Sequence, residues 1–168
     1  MDRRSTIAIR PARGEDIDGV LALFEAVAAE GRWIGTEPGF DKDRYRRSWE
    51  ERIASGSDAL IVAADADDIV GAIDLREGER GLWSFGMLVA PERRRQGVGT
   101  ALLDAAIVWA RKRGVRALTL GVFPHNEAAI RLYENNEFVR TEVVERSPRR
   151  QNGEIWDIVI MERRIETR

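Results

Sequence analysis

At 168 residues, with 43% hydrophobic and 33% charged side chains, the chain reads as one domain over residues 5–165, large enough to bury roughly 70% of the surface its unfolded form exposes. A formal net charge of −2 argues against a general nucleic-acid binder, and the lack of cysteine excludes a disulfide framework, a thiolate nucleophile and a Cys-based metal site. No apolar run approaches the ~20 residues of a membrane span, so a cytoplasmic protein with neither membrane nor nucleic-acid partner, and no metal, is expected.

Ser5 to Arg10 alternates as a first strand that Pro11 stops. Gly14 to Ala29 carries Ile17, Val20, Leu21, Phe24 and Val27 at helical spacing and ends before Gly31. A connector from Arg32 to Phe40 precedes a second helix, Asp41 to Ser55, striped by Tyr45, Trp49 and Ile53. Ala59 to Ala64, Ile69 to Arg76 and Leu82 to Ala90 read as three strands of an antiparallel meander. A helix from Gly99 to Arg113, a strand from Leu118 to Phe123 and a helix from Asn126 to Asn135 follow. Val139 to Arg146 and Ile155 to Arg163 form a last hairpin around Asn152-Gly153.

The most informative stretch runs from Met87 to Thr100, where a strand ends at Pro91 and a basic loop, Arg93-Arg94-Arg95, leads into Gly97-Val98-Gly99 at a helix start. The first N–H groups of a helix lack internal acceptors, and the helix dipole adds positive charge there, so phosphate binds readily. Glycines let an anion approach the backbone. A P-loop is excluded because no lysine follows the last glycine, and a dinucleotide fingerprint because Leu102 occupies the third glycine position.

These residues resemble the GCN5-related N-acetyltransferases (GNAT), which acetylate amines with acetyl-CoA. The family's pyrophosphate loop, Gln/Arg-x-x-Gly-x-Gly/Ala, is matched by Arg94-Arg95-Gln96-Gly97-Val98-Gly99. A later element, Asn-x-x-Ala-x-x-x-Tyr, is matched by Asn126, Ala129 and Tyr133. The resemblance implies an α/β fold in the order β-α-α-β-β-β-α-β-α-β-β, with a mostly antiparallel twisted sheet flanked by helices. It implies that Met87, Leu88, Val89, the loop Arg94 to Thr100, Asn126, Ala129 and Tyr133 hold acetyl-CoA. Tyr133 is then the expected general acid toward the departing thiolate.

The family's general-base glutamate falls on Ser84, which is no base near neutral pH without an activating partner. Asp74, Glu30 and Glu37 are the substitutes, and His125 is expected in a loop near the cofactor. Glu30, Trp33, Glu37 and Phe40 suggest a lid attractive to a cationic amine, whereas Arg146, Arg149 and Arg150 favour an anionic acceptor. A small-molecule or peptide amine is therefore open. A noncatalytic acyl-CoA-binding module and an RNA-binding module are the alternatives. Dimerisation is common in the family, so a homodimer is an expectation.

Overall fold

Seven strands join into one sheet in the order β1-β2-β3-β4-β5-β7-β6 in a computed structural model that describes residues 6–57 and 59–166, with residues 146–148 described by backbone alone. In chain order the elements are β1 (Ala8–Pro11), α1 (Ile17–Ala29), α2 (Lys42–Ala54), β2 (Leu60–Asp65), β3 (Asp68–Glu77), β4 (Leu82–Val89), α3 (Val98–Lys112), β5 (Ala117–Val122), α4 (Glu127–Glu134), β6 (Val139–Arg149) and β7 (Ile155–Arg164). This is the expected order. All neighbouring pairs are antiparallel except β4 with β5.

Side-chain alternation along the strands assigns the helices to two faces. Trp83 on β4 meets Trp109 on α3, and Phe85 meets Tyr133 on α4, with ring centroids 4.9 and 5.8 Å apart. The other face carries Asp74, which receives the indole of Trp49 on α2 at 3.5 Å. Phe24 of α1 packs on Tyr45 and Trp49 of α2, at 4.9 and 6.2 Å. A bulge lets β3 serve both layers. Ala63 pairs with Gly71 but Ala64 with Ile69, so Val70 is an extra residue that reverses the alternation. Ile69 then lies against Gly19 of α1, while Gly71 admits Val98 and Leu102 of α3. A Cβ on Gly71 would stand 2.9 Å from Leu102.

Several boundaries differ from the sequence reading, whose first strand began at Ser5, a residue outside those the structure describes. Pro11 belongs to β1 rather than ending before it. It pairs with Ile61 at the edge of the sheet, where proline costs no central ladder bond. The first helix begins as a 3-10 turn, Gly14–Asp16. After α4 the left-handed residue is Glu137, with φ 65°. Asn136 beside it donates its side-chain amide to the Leu132 carbonyl at 2.8 Å, and Glu137 is anchored by Arg163 at 2.6 Å.

The α1–α2 connector is strapped to the β6–β7 hairpin by Arg150, whose side chain is 3% exposed. Its guanidinium donates to the carbonyls of Ile34, Gly35 and Gly31 at 3.2, 3.0 and 3.5 Å. It lies 4.5 Å from the Trp156 ring and 5.6 Å from Phe123, with Glu37 at 3.5 Å. Glu37 in turn accepts the Gln151 amide. Burying a cation is tolerable only when its donors and charge are met in this way.

At the opposite end Asp16 is buried. Its carboxylate accepts two hydrogen bonds from Arg10, at 2.7 and 2.9 Å, and one from the Arg13 amide at 2.7 Å. The Arg10 hydrogen bonds hold this carboxyl below the usual range against burial, which pushes it up, and the Arg13 amide adds to the lowering.

Replacing Arg150 by Met is expected to cost on the order of 3 kcal/mol through lost charged hydrogen bonds, measured by urea unfolding. Amide exchange should accelerate in residues 31–37 before the rest of the sheet. For Asp16, a folded value below the unfolded one, about 3.9, means that its contribution is complete above that value and is lost as pH falls through the folded value. Unfolding at pH 7 and pH 3 should therefore show a wild-type acid loss that Asp16→Asn diminishes, with the variant roughly 1–3 kcal/mol less stable at pH 7.

Candidate active site

The site forms where two parallel strands part. Only Leu82, Trp83 and Ser84 of β4 pair with β5, opposite Ala117, Leu118 and Thr119. From Phe85 onward β4 keeps its β3 partner through Val89 but has no ladder to β5. Its peptide groups on that edge have no strand partner, and the Val89 carbonyl accepts from Arg94 Nε at 3.2 Å. A cleft of about 1030 Å³ opens there, walled by Gly86 to Val89, Leu120 to Phe123, α4 and the α1–α2 connector. Tyr133 and Phe138 pack against Phe85, with centroids 5.8 Å away in each case, where the strands separate.

One end of the cleft is the start of α3. Gly97 is its N-cap, in the left-handed region at φ 83°, and makes no side-chain cap. By contrast, Asp41 caps α2 and Asn126 caps α4 through their side chains. The first N–H groups of α3 thus lack protein acceptors of the capping kind, beside Arg95, which makes no ion pair with a described residue. A ring of donors at a positive dipole end fits a phosphate group. Arg94, Arg95, Gly97, Gly99 and Thr100 line the wall. Two predicted members do not present side chains there. Val98 is buried in the core against Gly71, and the amide of Gln96 turns back to the Glu92 carbonyl at 2.9 Å. Arg93 ion-pairs with Asp65.

Met87, Leu88, Val89, Asn126, Ala129 and Tyr133 all line the cleft. The Asn126 side-chain oxygen accepts from the Ala129 amide at 3.3 Å. Tyr133 is buried, yet none of the described residues hydrogen-bonds its hydroxyl. Burial pushes its phenol well above the usual value, so the proton is retained at neutral pH.

The proposed acceptor and base residues divide. Trp33 and Asp74 are in the wall; Glu30, Glu37, Phe40 and Ser84 are not. Glu30 accepts Arg94 at 2.6 and 2.9 Å and the Trp33 indole at 2.9 Å. Arg94 is the main reason that its carboxyl lies below the usual range. Glu37 is held by Arg150 and Gln151, and Phe40 packs on Phe24 at 4.7 Å. Ser84 is exposed, opposite Arg76 on β3. Arg150 is likewise spent on the connector, so it offers no charge to an acceptor; the Arg146 side chain lies outside the described residues. Asp74 is not a solvated surface group. It sits 2.6 Å from Arg52, out of line for a hydrogen bond to that oxygen, and 3.5 Å from Arg76.

Sequence reasoning missed Arg32, Tyr45, Trp49 and Arg76 in this wall. Arg76 had a legible signal, since it lies two residues beyond Asp74 on the same strand face. Gly86 sits opposite Asp74, and a Cβ there would stand 3.6 Å from the Arg76 guanidinium. His125 also lines the cleft, with its ring stacked on Phe123 at 5.5 Å and edge-on to Trp156 at 4.8 Å.

Comparison with known proteins agrees with this geometry. The acetyltransferase (GNAT) family profile matches residues 22–138. An L-methionine sulfoximine/L-methionine sulfone acetyltransferase of Pseudomonas aeruginosa is 27% identical over 136 residues, covering 78% of this chain and 79% of that protein. A ribosomal protein bS18-alanine N-acetyltransferase of Escherichia coli is 48% identical over 54 residues, 32% of this chain and 36% of its own length. An N-acetyltransferase structure from Staphylococcus aureus superposes with a TM-score of 0.87 at 21% identity, covering 96% of this chain and 100% of that one. A phosphinothricin acetyltransferase from Sinorhizobium meliloti, in complex with acetyl-CoA, gives 0.82 at 18% identity, with 95% and 89% covered. The chain belongs to the GNAT family of acetyltransferases.

Proposed function

We propose that this chain transfers the acetyl group of acetyl-CoA to a primary amine by direct attack of the amine on the thioester. The observation that carries the reading is the open edge of β4 running toward an uncapped helix start. Bare strand groups followed by a cluster of anion-binding donors suit an amide-bearing arm with a pyrophosphate at its end. When bound, acetyl-CoA supplies an activated acyl carbon. Peptide groups of Met87, Leu88 and Val89 that are not paired with β3 would hold the arm and polarise its carbonyl, with Arg94, which already donates to the Val89 carbonyl, beside them. Arg95 and the amides of Val98, Gly99 and Thr100 would hold phosphate, while Asn126 would meet the arm's middle. Tyr133, with its retained proton, would donate to the sulfur.

The wall charges favour a small amine that carries an anionic group. Both acidic lid residues are consumed by arginines or amides and Asp74 is held by Arg52 at 2.6 Å, whereas Arg32 and Arg76 line the wall, with Arg76 reaching Asp74 only at 3.5 Å. The related Pseudomonas enzyme is named for methionine derivatives, a substrate of that chemical kind. Arg76→Ala is expected to raise KM for an anionic amine about tenfold and to leave KM for a neutral amine nearly unchanged, measured by coenzyme A release.

Equilibrium binding of acetyl-CoA, with ATP and NADH as controls, tests the central reading. Selective binding that Gly97→Glu abolishes is expected, because a carboxylate would then occupy the phosphate end. A wild-type protein that ignores acetyl-CoA would remove the reading altogether. Given binding, Tyr133→Phe should lower kcat by ~10²–10⁴ with acetyl-CoA affinity nearly intact. Binding without turnover on any amine would favour a noncatalytic sensor.

A further inference from the structure

Resting on the acetyl-transfer reading, we propose that His125 is the general base that takes the proton of the attacking amine. The need for one follows from the site. Ser84 is exposed and outside the cleft wall; of the two wall carboxylates, Asp74 is pinned 2.6 Å from Arg52, and Glu127 is solvent-exposed and turned to Arg131 at 3.6 Å. Glu30 and Glu37 are engaged elsewhere. His125 is the chain's one histidine and lines the cleft. Histidine is also the side chain whose ordinary titration spans neutrality.

Its hydrogen bonding fixes which nitrogen can act. Nε2 lies 2.7 Å from the carbonyl oxygen of Arg32. A carbonyl can only accept, so Nε2 carries the hydrogen, and in the neutral ring Nδ1 carries the lone pair. No described residue hydrogen-bonds Nδ1. The ring plane is set by Phe123, stacked at 13°, by Trp156 at 80° and by Trp33 at 6.1 Å. A fixed tautomer with a fixed ring is what orienting a base requires. The charged groups around it are Arg32 in the connector, Glu30 behind Trp33, Glu127 at the start of α4, and Arg150 and Glu154 of the hairpin, both against Trp156.

In the step, the amine lone pair forms the C–N bond at the acyl carbon and an N–H proton passes to Nδ1, directly or through one water. The C–S electron pair leaves with sulfur, which takes the Tyr133 proton. The imidazolium returns its proton to solvent and the phenol regains one, so no proton or electron is left over.

The single histidine makes the test clean. Long-range proton–nitrogen NMR on the imidazole of the wild-type protein should show the Nε2-protonated neutral tautomer. His125→Gln keeps an N–H for the Arg32 carbonyl but has no basic nitrogen. It should lower kcat/KM by ~10²–10⁴ and abolish the acid limb of its pH profile, with acetyl-CoA affinity unchanged within about twofold. An Nδ1-protonated tautomer, or an acid limb that survives in the variant, overturns the assignment. A matching loss of acetyl-CoA affinity overturns it too, by making His125 a structural residue. Failure of the wild type to bind acetyl-CoA would sink the acetyl-transfer reading instead, a result read before any variant is made.

Discussion

The short parallel pairing of β4 with β5 is the constraint on which the site depends. Three residue pairs hold the two strands together, and then Phe85, Tyr133 and Phe138 fill the widening angle with rings that a continued ladder would exclude. Aromatic burial, which removes roughly 150–250 Å² per ring from water, is worth more there than the few backbone hydrogen bonds forgone. Everything functional is placed relative to that opening: the free edge of β4 on one side, α4 on the other, and the start of α3 at one end.

A second device keeps the cleft's roof in place. The connector between α1 and α2 contains Gly31, Gly35 and Gly39, two of them at positive φ, with Ile34 and Phe40 packed half-buried against the core. Its glycine-bearing first half is tied down by Arg150, whose guanidinium meets three connector carbonyls and lies beside two aromatic rings. Arginine suits this position because its planar fork reaches several acceptors while its faces tolerate aromatic contact. The same cluster, through Phe123 and Trp156, orients His125. Roof and imidazole are thus supported by one set of contacts, which joins the hairpin at the end of the chain to a loop near its beginning.

Legibility in the sequence followed the range of the interactions. Helices α1 and α3 announced themselves by periodicity, and the Gly97–Gly99 loop by residues that are neighbours in the chain. The caps at Asp41 and Asn126 are equally local. Side-chain partnerships across the fold were not readable. Glu30 and Arg94 are 64 positions apart and Arg150 and Gly31 119, so acidic and basic residues that looked available for a substrate are committed to each other. The left-handed turn after α4 fell on Glu137, a residue type that propensity disfavours, because Arg163 anchors its carboxylate. The bulge at Val70 was likewise invisible, since nothing in that short apolar run fixes where the register slips.

Tyr133 shows a tension between burial and chemistry. Desolvation raises the cost of a phenolate, so the side chain is a poor source of a fully transferred proton. Its place near the C-terminal end of α4 adds to that cost, because the negative end of the helix dipole opposes a developing anion. Those two effects act only on the charged phenolate. A phenol that keeps its proton and points a hydrogen bond at a sulfur gaining charge suffers neither, and in a desolvated wall such a bond is stronger than in water. In the acetyl transfer we propose, Tyr133 would therefore stabilise the leaving thiolate chiefly as a hydrogen-bond donor. Transfer of the proton to sulfur would leave a phenolate that burial disfavours, so reprotonation of the phenol from solvent would have to follow at once.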